Sequence, residues 1–418
     1  MAELLRGRRW LVDVAPLRAS RDLRLILAAE LVVTLGTQAI LVAVPYQIYT
    51  LTHSALAVGL IGAVELAPLV TMALLGGAIA DRVDRRRLLL AGALLLGVAA
   101  STLAALSWDQ RPPVAEVYVL AGVIAGAGSA LNAAATAIVP GTVGPDRLRS
   151  ALALAFGLTN LAQVVGPGLG GLLIAGVGLG PTYAVAAGAA LLTVAAVPAL
   201  SPQRPPPADV PHPSVLTSVR DGLRFVRGER ALVGSFAIDL LAMTFGMPRA
   251  LFAVLSLTVY HAGAQGTGLL YAAVSFGAVI AAFTTGWLEH ARRLGRIVIG
   301  AVLVWGVCIA FAGAAGSLAL AAVMLALAGA ADSVSAVCRS TINQTITPEA
   351  MRARMSSVFI VVVTSGPRLG DIESGSVAGL AGARFSVISG GLACVLGIGA
   401  ILLAFPELAR YDGGRATK

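Results

Sequence analysis

Nine ionisable residues stand inside long apolar runs of this chain: Glu30, Glu65, Asp239, Arg249, Asp332, Arg339, Arg368, Asp371 and Glu373. A charge at bilayer depth costs about 2.5–3.5 kcal/mol on insertion scales, so such side chains normally face a cavity or a partner. There, carboxylates exchange protons and arginines hold anionic groups. Glu65 and Asp239 have no counter-charge on their own helices, which makes them the natural proton carriers. Arg368 and Asp371 are three apart on one helix face and can pair. That pair is either a self-neutralised structural contact or part of a substrate path, and Glu373 points elsewhere and still needs a partner. Asp332 and Arg339 share one face seven residues apart, with Arg339 read as structural. Glu30 is close enough to a membrane edge to snorkel or to meet Arg24. His53, His212, His261 and His290 lie in or beside loops and form no relay. Cys308, Cys338 and Cys394 fall inside apolar runs without metal-ligand spacing and read as packing residues, so neither a metal nor a cofactor is expected.

The elements that must position these charges follow from composition. The 418 residues are 57% hydrophobic and 12% charged, where a soluble domain carries about a quarter charged residues. Uncharged runs near the length needed to cross about 30 Å of hydrocarbon recur along the chain. They predict twelve spans near 23–50, 55–80, 88–107, 114–139, 149–175, 181–200, 231–259, 266–288, 297–315, 317–343, 355–380 and 385–405. The expected fold is therefore an all-α polytopic membrane protein of twelve helices. An even count puts both termini on one side. Assigning that side as cytoplasm places twenty-five of the thirty Arg and Lys there, leaving only Arg111 and Arg384 in the opposite loops. The first 22 residues carry Arg6, Arg8, Arg9, Arg18 and Arg21 and lack an apolar core before a cleavage site, so no cleaved signal peptide is expected. The net charge of +9 is spread over short inter-span clusters, which argues topology and against a nucleic-acid surface.

Residues 201–213 hold six prolines, and 214–230 read as a basic amphipathic segment. Together they predict a cytoplasmic linker, 201–230, between a six-helix half over 1–200 and another over 231–418. The stripe Val215, Leu216, Val219, Leu223 and Phe225 suggests a helix lying on the membrane surface. The halves echo each other. Thr142-Val143-Gly144-Pro145-Asp146-Arg147-Leu148-Arg149 resembles Thr345-Ile346-Thr347-Pro348-Glu349-Ala350-Met351-Arg352. In each, a threonine precedes a Pro-acid pair with an arginine three residues beyond the acid, the kind of internal repeat on which secondary transporters build a midplane site.

Between the second and third spans stands Gly76-Gly77-Ala78-Ile79-Ala80-Asp81-Arg82-Val83-Asp84-Arg85-Arg86-Arg87. It resembles the signature loop of the major facilitator superfamily. The resemblance implies that Gly77 lets helices approach closely and that Asp81 holds a neighbouring helix end, releasing it as the halves reorient. Acids suit this because helix N-termini and arginines attract them. Arg82, Arg85 and Arg86 serve as gating partners and positive-inside anchors alike. The superfamily loop has glycine where this chain has Asp84, a departure shared by the siderophore-exporting, enterobactin-exporter-like branch. Val42-Ala43-Val44-Pro45-Tyr46-Gln47-Ile48, the Thr52-His53-Ser54 turn and Thr347-Pro348-Glu349-Ala350-Met351 are similar to that branch too, over roughly residues 10–406. In span five, Gly166-Pro167-Gly168-Leu169-Gly170-Gly171 resembles the element that exporters of the superfamily carry, in which Gly166, Pro167, Gly170 and Gly171 allow a bend and tight helix contact. The resemblance also implies that spans 3, 6, 9 and 12, whose interiors are uncharged, face lipid.

The expected function is export of a siderophore or similar amphipathic metabolite across a bacterial inner membrane, by alternating access, with protons as the coupling ion and one chain as the working unit. Glu65, Asp239, Arg249, Asp332, Arg368, Asp371 and Glu373 are the candidates for the substrate or proton pathway. Multidrug efflux shares every motif. A membrane-embedded enzyme is disfavoured by the lack of a His-Glu-x-x-His site, a Gly-x-Ser-x-Gly turn or a phosphate-binding Gly-x-x-x-x-Gly-Lys loop.

Overall fold

The computed structural model describes residues 14–108, 112–203 and 215–412. Arg6, Arg8, Arg9, Arg111, most of the proline-rich stretch and the side chains of Val215 and Leu216 lie outside the described residues. A short α1 (Ala15–Ala19) leads into α2 (Arg21–Thr52), α3 (Ala55–Ala80), α4 (Arg85–Leu106), α5 (Val114–Ile138), α6 (Leu148–Val177) and α7 (Leu179–Ala196). After α8 (Val215–Gly228) come α9 (Arg230–Phe245), α10 (Leu251–Thr258), α11 (Gly263–Thr284), α12 (Leu294–Ala314), α13 (Leu318–Ile346), α14 (Arg352–Ala381), α15 (Ala383–Ala404) and α16 (Pro406–Arg410).

Ten helices among the described residues are long and apolar enough to cross a membrane. The two remaining crossings carry charge or a break. They are α14, which contains Arg368, Asp371 and Glu373, and the α9–α10 pair. The expected single span over 231–259 is thus interrupted at Gly246-Met247-Pro248-Arg249-Ala250. Pro248 has no N–H to continue the α9 ladder and disfavours helical geometry in the residue before it.

The two halves repeat each other at their joints. Both threonine-proline-acid segments form a short 3-10 turn, Pro145–Arg147 and Glu349–Met351, that feeds α6 and α14 respectively. Those two helices end on Gly178 (φ 88) and Gly382 (φ 91), each also the first flanking residue of the next helix. Only glycine takes such a backbone without strain, so each half turns its fifth span into its sixth in one residue. Ser54 and Ser317 cap α3 and α13 by accepting the N–H of Ala57 and Leu320.

The end of the bundle with α1, α16 and the Asp81 turn is called basal here, and the end with the His53, Gly178 and Gly382 turns is called far. At the far end the halves meet through glycine crossings. Gly59 of α3 lies on Gly375 of α14, and Gly171 of α6 on Gly268 of α11, each so close that a Cβ would overlap backbone. Small residues are what permit such approach between helices in lipid. Helices α4, α7, α12 and α15 instead expose Leu95, Val98, Leu192, Phe311, Leu396 and Leu403, as expected of the outward set.

The amphipathic α8 packs on the base of α14. Its Val226 is buried, Val219 and Phe225 are half-buried, and Gly222 presses on Val358 and the Arg354 backbone of α14. Asp221 adds an ion pair to Arg354 at 3.2 Å. Val219 and Phe225 of the stripe thus lie partly against protein, while Leu223 and three arginines, Arg220, Arg224 and Arg227, are exposed.

Candidate functional site

A cavity of about 880 Å³ runs from the basal Asp81 turn to the middle of the bundle. One wall comes from α2, α3, α5 and α6 and sets the polar groups Glu30, Gln38, Asn132, Thr136, Thr159 and Gln163 among apolar side chains such as Ile26, Leu41 and Leu69. The facing wall from α14 is apolar, with Phe359, Ile360, Val363 and Pro367. The cavity head is charged: Glu65, Arg249, Arg368 and Asp371 all reach it, beside Tyr271. Beyond them stand the far-end glycine crossings. The cavity is thus open basally and shut at the far end.

At the head, Arg368 of α14 bridges the halves. Its guanidinium lies 2.8 Å from Glu65 of α3 and 3.4 Å from Asp371 one turn along its own helix. Gly62 of α3 lies under the Arg368 carbonyl and the Asp371 side chain, so the charged turn can sit directly on α3. The helix break supplies the remaining partners. Freed from the ladder, the Ala250 N–H donates to Asp371 (3.1 Å), and the Arg249 carbonyl accepts the Tyr271 hydroxyl (2.9 Å). The Arg249 Nε is buried without a hydrogen-bond partner among the described residues. A cation with spare donor capacity at a cavity head is suited to receive an anionic or strongly accepting group.

Two expectations change. Glu65 lacks a same-helix counter-charge but has one across the halves. Asp239 meets Arg339 of α13 within its own half, and Arg339 also reaches Asp332 at 3.4 Å. Neither is a free carboxylate in this conformation. Arg339 ties α9 to α13 and pairs with Asp332 on its own face. Glu373 keeps a buried Oε2 with no hydrogen-bond partner among the described residues. Glu30 does not meet Arg24, which instead donates to the Leu17 carbonyl. It accepts from Thr159 of α6 and lines the cavity.

The signature loop divides its work. Asp84 holds Arg86 at 2.9 Å, and this contact keeps the Asp84 carboxyl below its ordinary range. Arg86 also donates to the Leu200 carbonyl and Arg85 to the Ala137 carbonyl, so both tie the base of α4 to neighbouring helix ends of the same half. Asp81 and Arg82 are exposed, and Asp81 has no partner among the described residues. Gly77 makes no close helix approach: a Cβ there would meet nothing within 4 Å, because it faces the open cavity, and Gly76 is the residue packed against Ala133 of α5. The exporter-like element does pack closely. Gly166 and Gly170 lie against Gln38 and Ala39 of α2, and Gly171 makes the crossing to α11, while α6 stays continuous through Pro167.

Tyr271, the Ala250 N–H and Thr159 escaped the sequence reading. Gly246-Met247-Pro248 was the available signal for the first two, since interrupted helices mark binding sites in transporters. Cys308, Cys338 and Cys394 are free and buried.

A family model described as transmembrane secretion effector matches residues 12–415. The enterobactin exporter EntS of Escherichia coli O139:H28 (strain E24377A / ETEC) is 30% identical over 407 residues, 96% of each chain. That of Shigella boydii serotype 18 (strain CDC 3083-94 / BS512) matches to the same extent. Among solved structures, the nucleoside transporter NupG aligns with a TM-score of 0.75 at 12% identity, covering 92% of this chain and 99% of that one. A bacterial homologue of the human lysosomal transporter Spinster, in an inward-facing and unoccupied conformation, gives 0.71 at 15% identity, covering 95% and 99%. At these identities the two structures share the fold.

Proposed function

The chain belongs to the transmembrane secretion effector family, and from that premise we propose that it is a secondary active exporter of a siderophore or similar amphipathic metabolite. The observation that carries this reading is the deep cavity, shut at the far end by the two glycine crossings and headed by Arg249 and Arg368. A substrate with acidic or chelating oxygens would engage those cations, and its apolar body would lie along Phe359, Ile360 and Val363. The name of the enterobactin exporters, 30% identical over 96% of the chain, supports the same chemistry.

The basal end is then cytoplasmic, and the conformation is the one that loads cargo. The halves over 1–200 and 231–418, joined by 201–230, rock about the midplane. Opening the far end separates α3 from α14 and α6 from α11, which breaks the Glu65–Arg368 contact. Asp81, unpartnered here, engages a helix end of the other half when the basal side closes. The membrane is the bacterial inner membrane, one chain is the working unit, and protons flow against the cargo. Multidrug efflux is favoured by the apolar α14 wall alone.

The deciding experiment compares culture medium from cells with and without the gene, under iron limitation and iron excess. Loss of one iron-chelating metabolite from the medium, with its build-up inside the cells, supports the proposal. Unchanged metabolites together with hypersensitivity to unrelated drugs would point to multidrug efflux.

A further inference from the structure

Seven charged groups within the spans form one neighbourhood, Asp239, Arg339 and Asp371 buried and Glu65, Arg249, Asp332 and Arg368 partly so. Asp239 of α9 meets Arg339 of α13, and Arg339 reaches Asp332. Asp332 lies within electrostatic reach of Arg249 at the helix break. Arg249 in turn is within reach of Asp371 and Glu65, the two acids that share Arg368. The set therefore runs from the interior of the second half to α3 of the first.

Its charges do not balance. Four carboxylates (Glu65, Asp239, Asp332, Asp371) face three guanidiniums (Arg249, Arg339, Arg368), and 4 − 3 leaves 1 carboxylate in excess. Arginine does not give up its proton in proteins. An uncompensated ion away from water costs several kcal/mol, so a group in that position takes up a proton instead.

Geometry selects which acid is in excess. Glu65 has Arg368 at 2.8 Å, Asp239 has the tightest contact of Arg339, and Asp371 adds the Ala250 N–H to its share of Arg368. The ion-pair contact of Asp332 among the described residues is the far side of Arg339, at 3.4 Å, on a guanidinium already engaged. Asp332 is also the one member open to exchange: 33% of its side chain is accessible, against 12% for Glu65, 7% for Asp371 and 6% for Asp239. Beyond Arg249 at the helix break, the elements packed on α13 bring no cation near it within the span. Within its span α11 offers only Tyr271, already bonded to the Arg249 carbonyl, and α12 offers the thiol Cys308 and, at its basal end, Arg296.

We propose that Asp332 is the seat of one exchangeable proton, held there because Arg339 serves two acids and gives its tighter contact to Asp239. Its use in transport rests on the exporter reading above. A cargo anion arriving at Arg249 and Arg368 adds negative charge to the same set, so proton occupancy and cargo occupancy are coupled through shared cations.

The test needs no cargo. The full-length protein in lipid nanodiscs is titrated across neutral pH while the infrared carbonyl band of protonated carboxyl groups is followed, with exchange into D2O. The wild type should show one titrating carboxyl from the charge set, counted after subtracting the band that Glu373→Gln removes, since the buried Glu373 Oε2 also lacks a hydrogen-bond partner among the described residues. Asp332→Asn should lose it, and so should Asp239→Asn, because Arg339 then passes wholly to Asp332. Glu373→Gln and Glu30→Gln, which lie outside the set, should keep it. Arg339→Gln leaves 4 − 2 = 2 acids in excess and should about double the band. Persistence of the band in Asp332→Asn, or its loss in Glu373→Gln, overturns the assignment, as does a wild type without it. A band that behaves as described in a protein with no efflux phenotype would refute the exporter reading alone.

Discussion

Adding one methyl group at Gly375 should open the far end. A Cβ on Gly375 would lie 2.5 Å from the Gly59 Cα and 2.9 Å from the Gly59 nitrogen and the Ala55 carbonyl oxygen, where ordinary contact begins at 3.4 Å. The helices must therefore part by about 3.4 − 2.5 = 0.9 Å, and no rotamer change can absorb it because every opposing atom is backbone. Overpacking of this kind costs about 1–3 kcal/mol. The cost falls only on the conformation in which α3 and α14 touch, so the equilibrium should move away from it by about 5- to 150-fold. Spin labels on the far turns of the two halves would report the distance distribution in nanodiscs. Gly375→Ala should shift weight to the longer distance, and Gly171→Ala should do the same through the α6–α11 crossing. A Gly375→Ala protein that elutes and melts like wild type but keeps the wild-type distribution would refute the claim that these crossings hold the far end shut.

Three further outcomes follow from the same geometry. Arg368→Ala leaves Glu65 and Asp371 without their cation, so binding of an anionic cargo in detergent should weaken by about 2–5 kcal/mol, and normal affinity would make this charge cluster purely structural. Asp81→Asn should cut efflux sharply while membrane expression persists, measured as cargo accumulated in cells; near-normal efflux would reduce the loop to an anchor. Reporter fusions after Arg87 and Lys418 should read cytoplasm and one after Gln110 the outside, and a cytoplasmic Gln110 would reverse the orientation.

The twelve crossings were legible because apolar run length is a local property, set by the thickness that a helix must span. The repeat at Pro145 and Pro348 was legible too, since one short motif builds the same 3-10 turn twice. Charge pairing was readable only within a helix. Arg368 with Asp371 and Arg339 with Asp332 follow from spacing on one face, but Glu65 and Asp239 find their cations on other helices, and helical periodicity carries no information about that. The break in the seventh crossing was under-read because mean apolarity masks a single proline. Gly77 and Gly76 differ in role because adjacent helical residues point about 100° apart, so which one meets a neighbour depends on helix rotation and not on the motif.

Seating α8 on α14 has a practical consequence. Gly222 and the Asp221–Arg354 pair fasten that helix to the second half, while Arg82 at the base of α3 belongs to the first. Both Arg82 and Arg224 of α8 are exposed. Dyes attached at these two positions would sit outside the bilayer yet on opposite moving bodies. Energy transfer between them would convert cargo-driven rearrangement into an optical signal. Chemical libraries could then be screened against the purified protein for the compound it carries, before any transport assay for that compound exists.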